Sequence, residues 1–143
     1  IHGNNLIHGD LSSRNIFLSD NSLDGCNCPS NHLGLNTFIG DFGLSRLENL
    51  SNYSENVYGN TRYLAPEVLN CNPYTKESDM YSFGMIMWEY TSSKKPFHHL
   101  PEEIHIMYAI LDGKRPEITE DTPKCYAEFM KKCWDPDPKK RPS

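Results

Sequence analysis

The stretch Ile7-His8-Gly9-Asp10-Leu11-Ser12-Ser13-Arg14-Asn15-Ile16-Phe17-Leu18 sets a carboxylate two residues after a histidine, an amide five residues further on, and then a short apolar run. A carboxylate can aim an attacking hydroxyl and take its proton. An amide oxygen is a hard ligand of the kind magnesium accepts. On a tight loop, Asp10 and Asn15 could hold a nucleophile and a metal side by side. By itself the pair says little, because Asp and Asn are also common turn residues.

Outward from this loop, Ile16-Phe17-Leu18 and Thr37-Phe38-Ile39 read as two short strands joined by a polar connection over 19–36, rich in Asn, Ser, Asp and Gly. Cys26, Cys28 and His32 lie inside it, but structural zinc takes four ligands at tight spacing, so a surface insert is the preferred reading. Gly40-Asp41-Phe42-Gly43 follows the second strand. A hairpin would return its carboxylate to the neighbourhood of Asn15, and Gly43 allows a sharp turn. From Leu44 to Thr61 no period is visible, which reads as an exposed loop of the kind that carries function.

Helices are expected afterwards. Met80 to Tyr90 is apolar nearly all round, the pattern of a buried helix, with Ser78 or Asp79 as its N-cap. Ile104, Met107, Tyr108 and Leu111 fall on one helical face, after Pro101 and Glu102-Glu103 and before Gly113. Tyr126, Phe129, Met130 and Cys133 repeat that spacing, and Pro136 and Pro138 end the helix. Both stripes read as core packing. The expected fold is mainly α with a short β-hairpin.

The 143 residues suit one domain, and a formal charge of −5 without a basic stripe argues against nucleic acid as the main partner. Lys139, Lys140 and Arg141 read as a solvated face. No apolar run approaches the ~20 residues that cross a bilayer, and no signal peptide opens the chain, so no membrane partner is expected. Five scattered cysteines suit a reducing compartment and a cytoplasmic location, where the sequons at Asn49 and Asn52 carry no meaning.

In order, the chain carries His8-Gly9-Asp10-Leu11-Ser12-Ser13-Arg14-Asn15, Asp41-Phe42-Gly43, Ala65-Pro66-Glu67 and a closing segment from Cys133 to Ser143. It resembles the protein kinase catalytic domain, whose pattern is H-R-D-L-x-x-x-N, D-F-G, A-P-E. The resemblance covers essentially the whole chain and implies the C-terminal, helical lobe of that fold, with an activation segment over 41–67 that includes Thr61. It implies ATP and Mg²⁺ as cofactors and a protein as substrate. Asp10 would then orient the substrate hydroxyl, with Arg14 and Asn15 completing the catalytic loop, and Asn15 and Asp41 would hold magnesium. Phe42, packing near His8, would separate active from inactive arrangements. Asp79 would anchor the catalytic-loop backbone, and Glu67 with Arg141 would tie the activation segment to the helical base.

Arg14 is the tyrosine-kinase feature, whereas the segment from Gly59 to Glu67 is closer to the Ser/Thr version. The mixture resembles the tyrosine-kinase-like group, and Ser/Thr acceptance is expected. Gly9 stands where the family has arginine, a residue that often receives an activation-loop phosphate. Phosphorylation of Ser51, Tyr53, Ser54 or Thr61 is therefore expected to matter less than in arginine-bearing relatives. No G-x-G-x-x-G occurs, and the chain opens just before the catalytic loop. The expectation is a segment without the N-terminal lobe, inactive and sticky alone, within a competent kinase. A pseudokinase or scaffold module is the alternative, and a truncated product that folds poorly is a third reading.

Overall fold

The computed structural model describes residues 2–20, 35–47 and 57–143. Most of the insert read over 19–36, with Cys26, Cys28 and His32, lies outside the described residues. So do Ser51, Tyr53, Ser54 and both sequon asparagines.

The core is built around α2 (Lys76–Ser92), whose Tyr81, Ser82, Gly84, Met85, Ile86, Met87 and Trp88 are all buried. A helix apolar on every side has no solvent face to offer, so the other elements wrap it. It starts four residues before the apolar run. Thr75, not Ser78 or Asp79, is the N-cap: Thr75 Oγ1 accepts from Ser78 N at 3.2 Å, and Thr75 N donates to Ser78 Oγ at 3.0 Å. This reciprocal pair satisfies two otherwise orphaned groups. Asp79 is left for another task.

α4 (Lys124–Cys133) packs on α2 with Met130 and Cys133 fully buried, Tyr126 partly so, and Phe129 exposed. At the crossing, a Cβ on Gly84 would sit 3.0 Å from the Cys133 Cβ, so a larger residue would push the helices slightly apart.

The expected face of α3 (Glu103–Leu111) is the wrong one. Ile106, Ala109 and Ile110 are buried, while Ile104 and Tyr108 are 44% and 60% exposed and Leu111 is exposed too. The sequence EIHIMYAIL offers apolar residues on more than one stripe. The face bearing small Ala109 can approach closest, and it packs on α1 (Pro66–Leu69) and the 3-10 turn Thr61–Tyr63.

Among the described residues, two antiparallel ribbons complete the fold. β2 (Ile16–Asp20) pairs with β3 (Leu35–Ile39), longer than the expected runs, with Ile16 opposite Ile39. β1 (Leu6–Ile7) pairs with β4 (Arg46–Leu47), a strand inside the stretch read as loop from Leu44 onward. Two residues carry no detectable period, so only pairing with β1 reveals β4.

Candidate active site

The catalytic-loop candidate leaves β1 at Ile7 and is held from below by α2. Asp79, 4% exposed, accepts the His8 N–H on Oδ2 at 2.7 Å and the Gly9 N–H on Oδ1 at 3.0 Å. His2 Nε2 meets Oδ2 at 3.0 Å. A carboxylate that takes two backbone donors fixes both the position and the tilt of the loop. Gly9 has φ +78°, and a Cβ there would lie 3.1 Å from the Leu44 carbonyl oxygen. The turn favours glycine for both reasons.

The histidine ring locks the next layer. Asp10 N donates to His8 Nδ1 at 3.3 Å, so the opposite nitrogen carries the proton and donates to the Gly40 carbonyl at 3.0 Å. The ring centroid lies 5.2 Å from that of Phe42 at a 48° tilt. His8 thus joins the loop holding Asp10 to the segment holding Asp41.

Asn15 closes the loop. Its Nδ2 donates to the Asp10 carbonyl at 2.7 Å and lies 3.4 Å from Asp10 Oδ2. With the nitrogen committed to Asp10, the oxygen is the amide atom left to serve as a ligand. The Gly40 N–H donates to the Asn15 carbonyl at 2.9 Å, directly below the Ile16–Ile39 pair. Adjacent antiparallel strands lie about 5 Å apart, so Asp41, one residue past Gly40, stands at the same end of the ribbon as Asn15. Asp41 sits in the left-handed region at φ 61° and is exposed, with no capping bond from its side chain. Arg14 is exposed in the 3-10 turn Ser13–Asn15.

The donor set fits magnesium. That ion is usually held by one or two protein oxygens, with phosphates and water completing six positions. The Asn15 amide oxygen and the Asp41 carboxylate, which makes no capping bond, would supply such a pair at the end of the ribbon. Among the described residues no group of three or more His, Cys, Asp and Glu gathers elsewhere as an alternative metal centre.

The activation-segment candidates lie on the opposite flank of Asp10. Gly59 has φ +103°, and a Cβ on it would meet Asp10 Oδ1 at 2.9 Å, so this backbone lies directly against the carboxylate. Asn60 caps the turn Thr61–Tyr63 by accepting from Arg62 N at 3.2 Å. Thr61 is only 9% exposed, so its hydroxyl is not offered as a loop modification site. Ala65 and Pro66 open α1, with Pro66 at the first helical position where its missing N–H does no harm. Glu67 receives Arg141 in a bidentate pair, at 2.6 and 2.9 Å, and Arg141 also donates to the carbonyls of Glu77 and Asp135. Arg141 is buried, so it is not part of the solvated face read at Lys139, Lys140 and Arg141.

A model of the protein tyrosine and serine/threonine kinase family matches residues 1–143. The chain belongs to that family. Among its curated relatives is the probable serine/threonine-protein kinase roco8 of Dictyostelium discoideum, 37% identical over 96% of this chain and 7% of that protein. The serine/threonine/tyrosine-protein kinase HT1 of Arabidopsis thaliana is 31% identical over 99% of this chain and 33% of that protein. The dual specificity protein kinase shkA of Dictyostelium discoideum is 32% identical over 100% of this chain and 26% of that protein. The chain therefore spans a third or less of the length of each of these kinases.

Three arrangements in this kinase domain carry no signal in sequence spacing. Arg62 Nη1 donates to the carbonyls of Pro96 and Phe97 at 2.6 and 2.8 Å, pinning the activation segment to the loop after α2. The Tyr74 hydroxyl donates to the Tyr58 carbonyl and accepts the Tyr58 N–H at 2.9 Å, while Arg46 stacks on its ring at 4.9 Å. Burial raises the Tyr74 phenol above its ordinary value. The third is a polar cluster of Ser13, Tyr63, Glu89 and Lys95, drawn from four separate segments. No helix among the described residues is long and apolar enough to cross a membrane.

Proposed function

We propose that this chain is the substrate- and magnesium-binding half of a protein kinase that transfers the γ-phosphoryl group of ATP to a protein hydroxyl, chiefly on Ser or Thr. The observation that supports it most is the pair of hydrogen bonds joining Asp10 to Asn15 and Asn15 to Gly40. They bring the Asp10 carboxylate to the end of the ribbon that carries Asn15 and Asp41, the two candidate oxygen ligands.

In this reading Asp10 orients the substrate hydroxyl and takes its proton, and Asn15 Nδ2 keeps the Asp10 main chain from drifting. The Asn15 amide oxygen and the Asp41 carboxylate would hold the ion. Bound magnesium would neutralise charge on the phosphates of ATP. Catalysis then rests on positioning and electrostatic stabilisation, which need the site closed on all sides. Phe17, Leu18, Phe38, Phe42 and Leu47 are all exposed, between 46% and 57%. Exposed apolar side chains on both ribbons suit cover by a second, nucleotide-clamping lobe. The 143 residues alone are expected to transfer no phosphate.

The test uses the native full-length protein with Mg-ATP labelled at the γ position, a generic protein acceptor, and matched Ser, Thr and Tyr peptides. Label should enter Ser or Thr, and Asp10→Asn should lower the rate by about 10²–10⁴-fold without changing the melt. A folded protein that binds Mg-ATP yet transfers nothing would instead favour a scaffold role.

A further inference from the structure

The four-membered cluster beside the catalytic loop decides which charge a passing peptide meets. Lys95 Nζ donates to Glu89 Oε1 at 2.6 Å and to Ser13 Oγ at 2.9 Å. The other Glu89 oxygen accepts the Tyr63 hydroxyl, which also meets Ser13 Oγ at 3.1 Å. One ring of polar contacts thus ties the catalytic loop, the end of the activation segment, the C-terminal half of α2 and the loop after it.

The cluster is not symmetric toward solvent. The Glu89 side chain is 15% exposed and Lys95 is 53% exposed. Both carboxylate oxygens are turned inward onto donors. The ammonium is held by Glu89 and Ser13 beside the Tyr63 hydroxyl, yet its side chain stays half exposed, which leaves a positive surface for a ligand. The hydrogen bond to Glu89 also holds Lys95 above its ordinary pKa, and it stays charged through the physiological range. Burial raises the Tyr63 phenol in turn, which keeps it a donor to Glu89. Arg14, the residue after Ser13, adds a second exposed positive group.

The cluster lies close enough to the acceptor site to act on substrate. Ser13 is three residues from Asp10 in the same loop, so their Cα atoms are at most about 11 Å apart. An extended peptide advances about 3.3 Å per residue. Two or three positions along a peptide span a distance of the same order as that from Asp10 to Ser13, whose hydroxyl holds the Lys95 tip.

We propose that Lys95 is a specificity-determining residue that selects protein substrates carrying an acidic side chain two or three residues from the phospho-acceptor. This rests on the kinase reading above, and the experiment separates the two. Wild-type, Lys95→Ala and Lys95→Glu forms of the full-length protein are compared on a positional peptide library with Mg-ATP. Binding of fluorescent acidic and basic peptides is read in parallel by anisotropy, which needs no turnover, and melts confirm that each variant is folded. Wild type should prefer Asp or Glu over Lys or Arg at one such position by about three- to fivefold, the range an exposed ion pair supplies. Lys95→Ala should abolish the preference and Lys95→Glu should invert it. If the Glu variant does not fold, the Ala variant decides. Charge-selective binding that depends on Lys95 but comes without transfer would support this recognition and sink the kinase reading. Equal use and binding of both peptide classes, or a preference unchanged in the Lys95 variants, overturns the proposal.

Discussion

The helical base and the β2–β3 face are made by the same chain and finished to different degrees. In the base, Arg141 has a side chain with no exposure and spends its donors on Glu67 and two carbonyls. Asp79 answers two backbone amides from below the catalytic loop. Ile7, Met85, Ile110 and Met130 are fully buried. On the ribbon face, Phe17 and Phe38 stand more than half exposed, and Asp41 holds a left-handed backbone angle. A surface that leaves aromatics uncovered and a carboxylate unpartnered is set up to receive something, whereas the base is already closed.

The contrast breaks most visibly if the base can lose a pin without cost. Arg141→Ala strands Glu67 and should destabilise the fold by about 3–5 kcal/mol, read as a shift in the urea midpoint. A double Glu67→Gln, Arg141→Met change should recover part of that loss, since the charge is no longer orphaned. A loss below about 1 kcal/mol for Arg141→Ala would mean the pair does not hold the base together.

Asp79→Asn leaves one catalytic-loop amide facing a donor, and should cost about 1.5–3 kcal/mol. Hydrogen exchange at the His8 and Gly9 amides should speed up while the α2 interior stays protected. Gly9→Arg forces a side chain into the left-handed region against Leu44, for an expected loss of about 1–2 kcal/mol. Because this substitution supplies the family's phosphate receptor, it should also raise the dependence of activity on loop phosphorylation. Unaltered stability and unaltered phosphate dependence would together discount the role given to Gly9.

Smaller still is an alkaline effect confined to the base. Burial pushes the Cys133 thiol up from 9.0 to about 11, and burial also raises the Tyr81 phenol. A folded-state pKa above the unfolded value contributes stability that is complete below pH 9 and is lost as pH rises through 11. Thermal melts between pH 8 and 11 should fall more steeply for wild type than for Cys133→Ala. The smallest expected change is on the ribbon: Phe17→Ser with Phe38→Ser should move stability by no more than about 0.5 kcal/mol. It should reduce binding of an apolar dye, and a large destabilisation would show that this face is packed rather than open.

The buried helix was legible from Met80 onward, though not its start at Lys76, because a run such as Met85-Ile86-Met87-Trp88 leaves no polar side for water. The β2–β3 hairpin was legible because two short apolar runs flank turn-rich sequence. The face of α3 was not, because Ile104, Ile106, Met107, Tyr108 and Ile110 allow more than one helical stripe, and only its packing on α1 and the Thr61–Tyr63 turn chooses. Arg141 sat in a run of basic residues that looked solvated, and only the family resemblance pointed to Glu67, seventy-four residues away, as its partner.

Sequence alone determined the inventory: which carboxylates, amides and glycines stand in the motif order of a kinase, and that one helix must lie inside. Tertiary structure decided their geometry. The Asn15–Gly40 bond brings Asp41 to the catalytic loop, Thr75 takes the cap of the buried helix, and Lys95 covers Glu89 and turns a positive tip outward. Local patterns report which face a segment hides, but a hydrogen bond between distant segments depends on where both chains end up, and spacing along one chain does not encode that.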